Sequence, residues 1–228
     1  MRRACIVGSS DGIGLATARA LLEDGWQIDG VARSESAIAH PRYAHFRSDV
    51  TTPEYRELMR GLSRQPLDAV VYCVAIGEPL SFADFARETR IFEVNLLGAV
   101  ATAAIVLPSM MAAKRGHLVV LSSLADELVS SEFPSYNASK AALSSYFSGL
   151  RAALRSTGVS VSLVRFGFVD TKLAKSRFKP FMLTREAAAG VIARTLRAGS
   201  ARVSYPLRMV VLVAVLRGAQ ALRRFFSR

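Results

Sequence analysis

The chain opens with Ala4-Cys5-Ile6-Val7, an apolar run of the length of a strand buried on both faces. It breaks at once into Gly8-Ser9-Ser10-Asp11-Gly12-Ile13-Gly14. A helical pattern follows from Ile13 to Glu23, with Leu15, Ala18, Leu21 and Leu22 on one face, and Gly25 stops it. Apolar runs at Trp26–Ala32, Tyr43–Arg47, Leu67–Val74, His117–Leu121, Val159–Val164 and Ala201–Tyr205 predict six further strands. Between them the spacing predicts helices from Pro53 to about Arg64, from Phe82 to about Lys114, from Ser135 to Ser156, and from Arg185 to Ala198 behind a Thr184 cap. The second of these is expected to bend or break near Gly98 and Pro108. Strands alternating with helices place the chain in the α/β class, a doubly wound parallel sheet with helices on both faces.

At 228 residues and 51% hydrophobic, the chain is long enough to bury a substantial core, and no linker interrupts it. One domain is expected over residues 1–206, with an apolar and basic helix at 207–228. Cys5 and Cys73 match no metal-site spacing and sit in apolar runs, so they read as buried free thiols of a reducing compartment, and no metal site is expected. Met1-Arg2-Arg3 precedes too short an apolar run for a secretion signal, so a cytoplasmic location is expected.

Glycines between a first strand and a first helix let the backbone turn tightly and approach a pyrophosphate seated on the helix N-terminus. The spacing here, G-x-x-x-G-x-G, suits a dinucleotide cofactor. The end of the second strand discriminates between cofactors. An acidic residue there would hold the ribose 2′-hydroxyl of NAD, but this chain has Arg33 and Ser34 after Ala32. A guanidinium and a hydroxyl suit a 2′-phosphate, so NADP(H) is preferred over NAD(H).

Tyr136 and Lys140 lie four apart on one helical face. A phenol with a pKa near 10 is a poor base at neutral pH, and an adjacent ammonium should favour its ionised form. With the glycine turn, the pair resembles the short-chain dehydrogenase/reductase family. The resemblance runs from Arg3 to about Val203. Gly8 to Gly14 match the family's T-G-x-x-x-G-x-G loop, with Val7 in place of the threonine. Asp49-Val50 match the segment that contacts the adenine. Asn95, Ser123, Tyr136 and Lys140 match the catalytic tetrad, with Ser123 at the family's usual 13 positions before the tyrosine.

The resemblance implies a Rossmann-type sheet of about seven strands in the order 3-2-1-4-5-6-7. It also implies hydride transfer between a nicotinamide and a carbonyl or alcohol carbon. Tyr136 would give and take the proton, and Ser123 would hold the substrate oxygen. Lys140 would bind the nicotinamide ribose and lower the tyrosine pKa, and Asn95 would keep a relay water. Tyr72-Cys73-Val74-Ala75 stands where the family has N-N-A-G, so Val74 and Ala75 are bulkier than expected beside the cofactor. Phe166-Gly167 replaces Pro-Gly, and Gly167, Val169 and Thr171 match the nicotinamide-side segment. A homodimer or homotetramer is also implied.

The segment at about 165–184 is the expected substrate loop. Leu173, Phe178, Pro180, Phe181 and Met182 are interspersed there with Lys172, Lys175, Arg177 and Lys179, which suits a fairly apolar substrate with an acidic portion. Charge is uneven along the chain. Residues 1–150 hold 14 Lys and Arg against 16 Asp and Glu, whereas residues 151–228 hold 16 against only Asp170 and Glu186. The eight apolar residues Met209–Leu216, flanked by Arg208 and Arg217 and followed by Arg223, Arg224 and Arg228, are too few to span a bilayer. They can pack on a subunit or lid, or lie in an anionic membrane interface. No motif that reads nucleic acid accompanies the charge, so no nucleic-acid partner is expected.

Overall fold

In a computed structural model of the chain, β1 (Arg3–Val7) is an inner strand of a seven-stranded sheet. Its neighbours are β2 (Gln27–Ala32) and β4 (Ala69–Tyr72), both parallel to it. Residues 1–176 and 178–226 are described. Arg177 and Arg228 lie outside the described residues, as does the side chain of Arg224. The remaining strands are β3 (Tyr43–Arg47), β5 (His117–Ser123), β6 (Ser160–Phe166) and β7 (Arg202–Tyr205). The order is β3-β2-β1-β4-β5-β6-β7, all parallel, as expected from the sequence.

Alternation along each strand sends successive side chains to opposite faces, and this builds two cores. Cys5, Val7, Val70, Tyr72, Leu118 and Val120 pack against α2 (Pro53–Leu62), α4 (Gly98–Ala112) and α5 (Pro134–Ala153). Ala4, Ile6, Ala69, Val71, Val119 and Leu121 pack against α1 (Gly12–Glu23) and α6 (Arg185–Ala198) on the other face. A third, smaller cluster joins Leu124, Met209 and Val213. It seats α7 (Leu207–Phe226) over a 3-10 turn at Leu124–Glu127.

Several boundaries differ from the sequence reading: β5 and β6 run on to Ser123 and Phe166, past the expected Leu121 and Val164, and α5 ends at Ala153. β4 ends at Tyr72 rather than Val74, because its partner β1 stops at Val7 and turns away into the glycine segment. The long helical stretch begins at α3 (Ala86–Phe92) and loosens into a π-helical turn at Glu93–Leu97, just before Gly98. Pro108 sits inside α4 without ending it. The strand order reverses between β1 and β4, and a crevice opens there at the carboxyl ends of the strands.

Candidate active site

The glycine segment shapes the first half of this crevice. Gly8 and Gly12 have φ of 94° and 56°, in the left-handed region that favours glycine. A Cβ on Gly14 would fall 2.0 Å from the Gly8 carbonyl oxygen, so the third glycine allows the first turn of α1 to press on the loop. Asp11 caps α1 by accepting from the Gly12 amide at 2.7 Å, and Lys172 and Arg185 hold its carboxyl below the usual range.

Around this turn lies a cavity of about 330 Å³. Gly8, Ser10, Asp11, Gly12, Ile13 and Gly14 form its floor. Arg33, Ser34, Asp49 and Val50 form its far end, and Val74, Ala75 and Thr171 its near wall. The backbone-lined cradle at the helix N-terminus fits a dinucleotide's phosphates. Val74 and Ala75, bulkier than the family's residues, leave the cavity open: the Val74 side chain packs close to Gly8 and still lines the wall. Asp49 is held in its ionised form by the Thr51 amide and hydroxyl and by Arg90 at 2.8 Å. Arg33 stands 4.0 Å from Asp49 with 65% of its side chain exposed, free to swing toward a bound phosphate.

Ser9 departs from the sequence reading. Its side chain is fully buried behind the turn, where its hydroxyl oxygen accepts from Tyr43 at 3.2 Å, and it lines neither cavity. Gly30 explains the position: a Cβ there would collide with both hydroxyls, so the pair fills the space over β2.

The second half of the crevice is a cavity of about 370 Å³ that meets the first at Ile13, Cys73, Ala75, Thr171 and Leu173. Ser123 ends β5, and its hydroxyl accepts from the Ala125 amide at 3.1 Å. Tyr136 lies in the first turn of α5, started by Pro134, and hydrogen-bonds the Ser123 hydroxyl. Lys140, one turn on, is buried, with its ammonium donating to the Leu121 carbonyl at 2.9 Å and lying 5.9 Å from the centre of the Tyr136 ring. Burial lowers Lys140 to about 8.

The expected lowering of the tyrosine by the lysine is not found. Desolvation dominates and raises the Tyr136 phenol, the Asp126 charge adds to the rise, and only the Ser123 hydrogen bond opposes it. Asn95, on the π-helical turn, is fully buried. Its carboxamide accepts from the Ile76 amide at 2.8 Å and donates to the Ile76 carbonyl and to the Ser139 hydroxyl. The extra residue of the π turn thus ties α3 and α4 to the segment after β4 and to α5.

The expected substrate loop lines the second cavity with its first half, Phe166 to Ser176, rather than with its later aromatic residues. Leu173 and Lys175 line the second cavity, but Phe178, Phe181 and Met182 point to solvent at 74%, 45% and 48% exposure. The apolar wall comes from Phe166 and Phe168 at the start of that loop, together with Leu124, Leu128, Phe133, Met209 and Val213. Two ion pairs, Lys172–Asp11 and Lys175–Glu78, strap the loop across the crevice. Val169 bridges to Leu183 and is buried, and Thr171 lines both cavities. Gly167 lies under α7: a Cβ there would be 2.7 Å from Met209. Cys5 is buried and Cys73 half-buried at the junction of the cavities. Both are free thiols, and burial pushes Cys73 up to about 12, which makes it inert.

Two parts of the site were missed in the sequence. One is the buried ion pair of Arg165 on β6 with Asp126, whose side chains are 4% and 2% exposed and which Glu127 joins. Arg165 ends an apolar strand, and Asp126 and Glu127 belong to a turn of no distinctive composition. The other is α7, which walls the second cavity with Met209 and Val213.

Comparison with known proteins agrees with this geometry. The sequence profile of the short chain dehydrogenase family matches residues 2–180. An "uncharacterized oxidoreductase" of Myxococcus xanthus is 33% identical over 226 residues, spanning 92% of this chain and 89% of its own. The cis-4-hydroxycyclohexanecarboxylate dehydrogenase of Sinomonas cyclohexanicum is 31% identical over 187 residues, 75% of each chain. In fold, the chain superposes on a short chain dehydrogenase from Burkholderia cenocepacia solved in complex with NADP, with a TM-score of 0.85 at 22% identity over 98% of both chains. The chain is therefore a nucleotide-dependent oxidoreductase and belongs to the short-chain dehydrogenase/reductase family.

Proposed function

We propose that the protein transfers hydride between NADP(H) and a carbonyl/alcohol pair on a fairly apolar small molecule. The observation that carries this reading is the meeting of Ser123, Tyr136 and Lys140 in the substrate-side cavity, where it opens onto the glycine-lined groove. When bound, the nicotinamide supplies or accepts the hydride at the reacting carbon. In the reductive direction Ser123 donates a hydrogen bond to the carbonyl oxygen and fixes its position. Tyr136, kept protonated by burial, gives its proton to that oxygen as negative charge develops on it. Lys140 would hold the ribose hydroxyls of the bound nucleotide, and Asn95 positions α5 through Ser139. The mostly apolar wall excludes water from the reacting atoms and favours an apolar substrate body. Glu132 and Lys175 on its rim offer polar contacts for the rest of the molecule.

Arg33 supports NADP(H) over NAD(H), because the residue that follows β2 is this guanidinium and not the carboxylate that would hold a free 2′-hydroxyl. Titrating the purified protein with NADPH and NADH side by side tests this. Tighter NADPH binding that Arg33→Ala reduces by roughly tenfold or more supports the assignment, and an unchanged preference overturns it. Tyr136→Phe should lower turnover by about 10²–10⁴-fold with cofactor affinity nearly unchanged, and turnover that survives the change would remove Tyr136 as proton donor. Exposed Leu97 just before α4, Met111 on α4 and Tyr146 on α5 support assembly into a homodimer or homotetramer through these helices.

A further inference from the structure

α7 has two apolar faces. Met209, Val213 and Gln220 share the inward face: the first two wall the substrate cavity, and the third exchanges hydrogen bonds with both backbone groups of Val129. Arg217 adds an ion pair to Glu127, so the helix is clamped in place at several points. Leu207, Val211, Val215 and Leu222 recur at the spacing of the opposite face. They are 72%, 65%, 64% and 62% exposed, and nothing among the described residues covers them.

Charge indicates what covers this stripe. Arg208 and Arg223 border it and are exposed, and no Asp or Glu follows Glu186 in the sequence. Pairing the stripe with a second copy of itself would bring arginine toward arginine, with no carboxylate on either helix to neutralise them. An anionic surface neutralises them, and its acyl layer accepts the leucines and valines. With Arg208, Arg217 and Arg223 along it, α7 has the length but not the apolarity of a bilayer-crossing helix, whereas a helix with one exposed apolar edge and basic borders lies in the interface plane.

We propose that the outer face of α7 docks the protein on an anionic lipid bilayer. Docking would place the inner face, and therefore the wall of the substrate cavity, next to the lipid from which an apolar substrate partitions. The outer face touches neither cavity, so this proposal and the oxidoreductase reading stand or fall separately.

Co-sedimentation of the full chain tests it, using vesicles of phosphatidylcholine alone and of phosphatidylcholine with phosphatidylserine. Binding to the anionic vesicles should exceed binding to the neutral ones by about tenfold or more and should weaken with added salt. The double variant Val211→Glu, Val215→Glu should lose that binding while keeping the native melting temperature and NADPH affinity. If it does not fold, Arg208→Glu with Arg223→Glu serves instead, with the same expected loss. Absence of binding by the native chain, equal binding to both vesicle types, or undiminished binding by the variants would overturn the proposal. It would equally be overturned by a lipid-free native dimer that these variants convert to monomer, which would assign the stripe to a second copy.

Discussion

Lys140 shows what the site demands of a single side chain. It is 2% exposed, and burial lowers it from the ordinary 10.5 to about 8. Below pH 8 the folded and unfolded chains both carry this proton, so the cost of burying the charge is present in full. Between about 8 and 10.5 the unfolded chain holds a proton that the folded chain has released, so stability rises with pH across that window. The melting temperature of the native protein should therefore climb through this window relative to Lys140→Met, which has no such group. Parallel profiles would mean that burial leaves the lysine's pKa unshifted. Affinity for the cofactor should fall over the same range in the native protein, as the ammonium that would hold the ribose discharges. The Tyr–Lys spacing was legible from residue types alone. The direction of the tyrosine's shift was not, because it depends on how much of the ring the surrounding walls desolvate and on Asp126, which folding brings near.

At the scale of elements, the 3-10 turn at Leu124–Glu127 joins the sheet to α7. Arg165 reaches from β6 to both oxygens of Asp126 and to Glu127, and it also donates to the Ser204 hydroxyl on β7 at 3.1 Å. Removing one partner of so buried a pair leaves an uncompensated charge. Arg165→Met should lower unfolding free energy by roughly 3–5 kcal/mol in denaturant titrations. Adding Asp126→Leu should restore most of the loss, because two apolar groups of similar size avoid the desolvation that both ions incur. A double variant as unstable as the single one would show that the pair is not what holds the turn. Glu127 keeps Arg202 and Arg217 as partners in both variants. Element boundaries were legible where hydrophobic alternation and caps set them: Thr184 caps α6 by accepting from the Ala187 amide. They were not legible where a neighbour decides, as at β4, which stops when β1 leaves it, or at the π turn, which forms around Asn95 and the Ile76 backbone.

Over the whole molecule, the two cavities are built differently. The nucleotide groove uses the first half of the chain and one crossing of the segment at 171–173. The substrate cavity draws on β5, α5, the loop after β6 and α7, elements far apart in sequence. Met209 belongs only to the second. Met209→Ala should raise KM for a small apolar substrate by roughly tenfold while leaving NADPH affinity unchanged. Equal losses of both affinities would show that α7 supports the domain as a whole rather than this wall.

The parallel sheet, the glycine cradle and the family follow from local facts: strand-length apolar runs, glycines at fixed spacing after the first strand, and a tyrosine and lysine one helical turn apart. Each rests on residues close in sequence, where backbone geometry alone dictates the outcome. Only folding settled which side chains wall the substrate cavity, that Phe178 and Phe181 face solvent, and that Arg165 and Asp126 meet 39 positions apart. It also turned one face of α7 to the site and left the other bare. These outcomes depend on which surfaces remain uncovered once the sheet and its helices have packed, and no local pattern of residues records that.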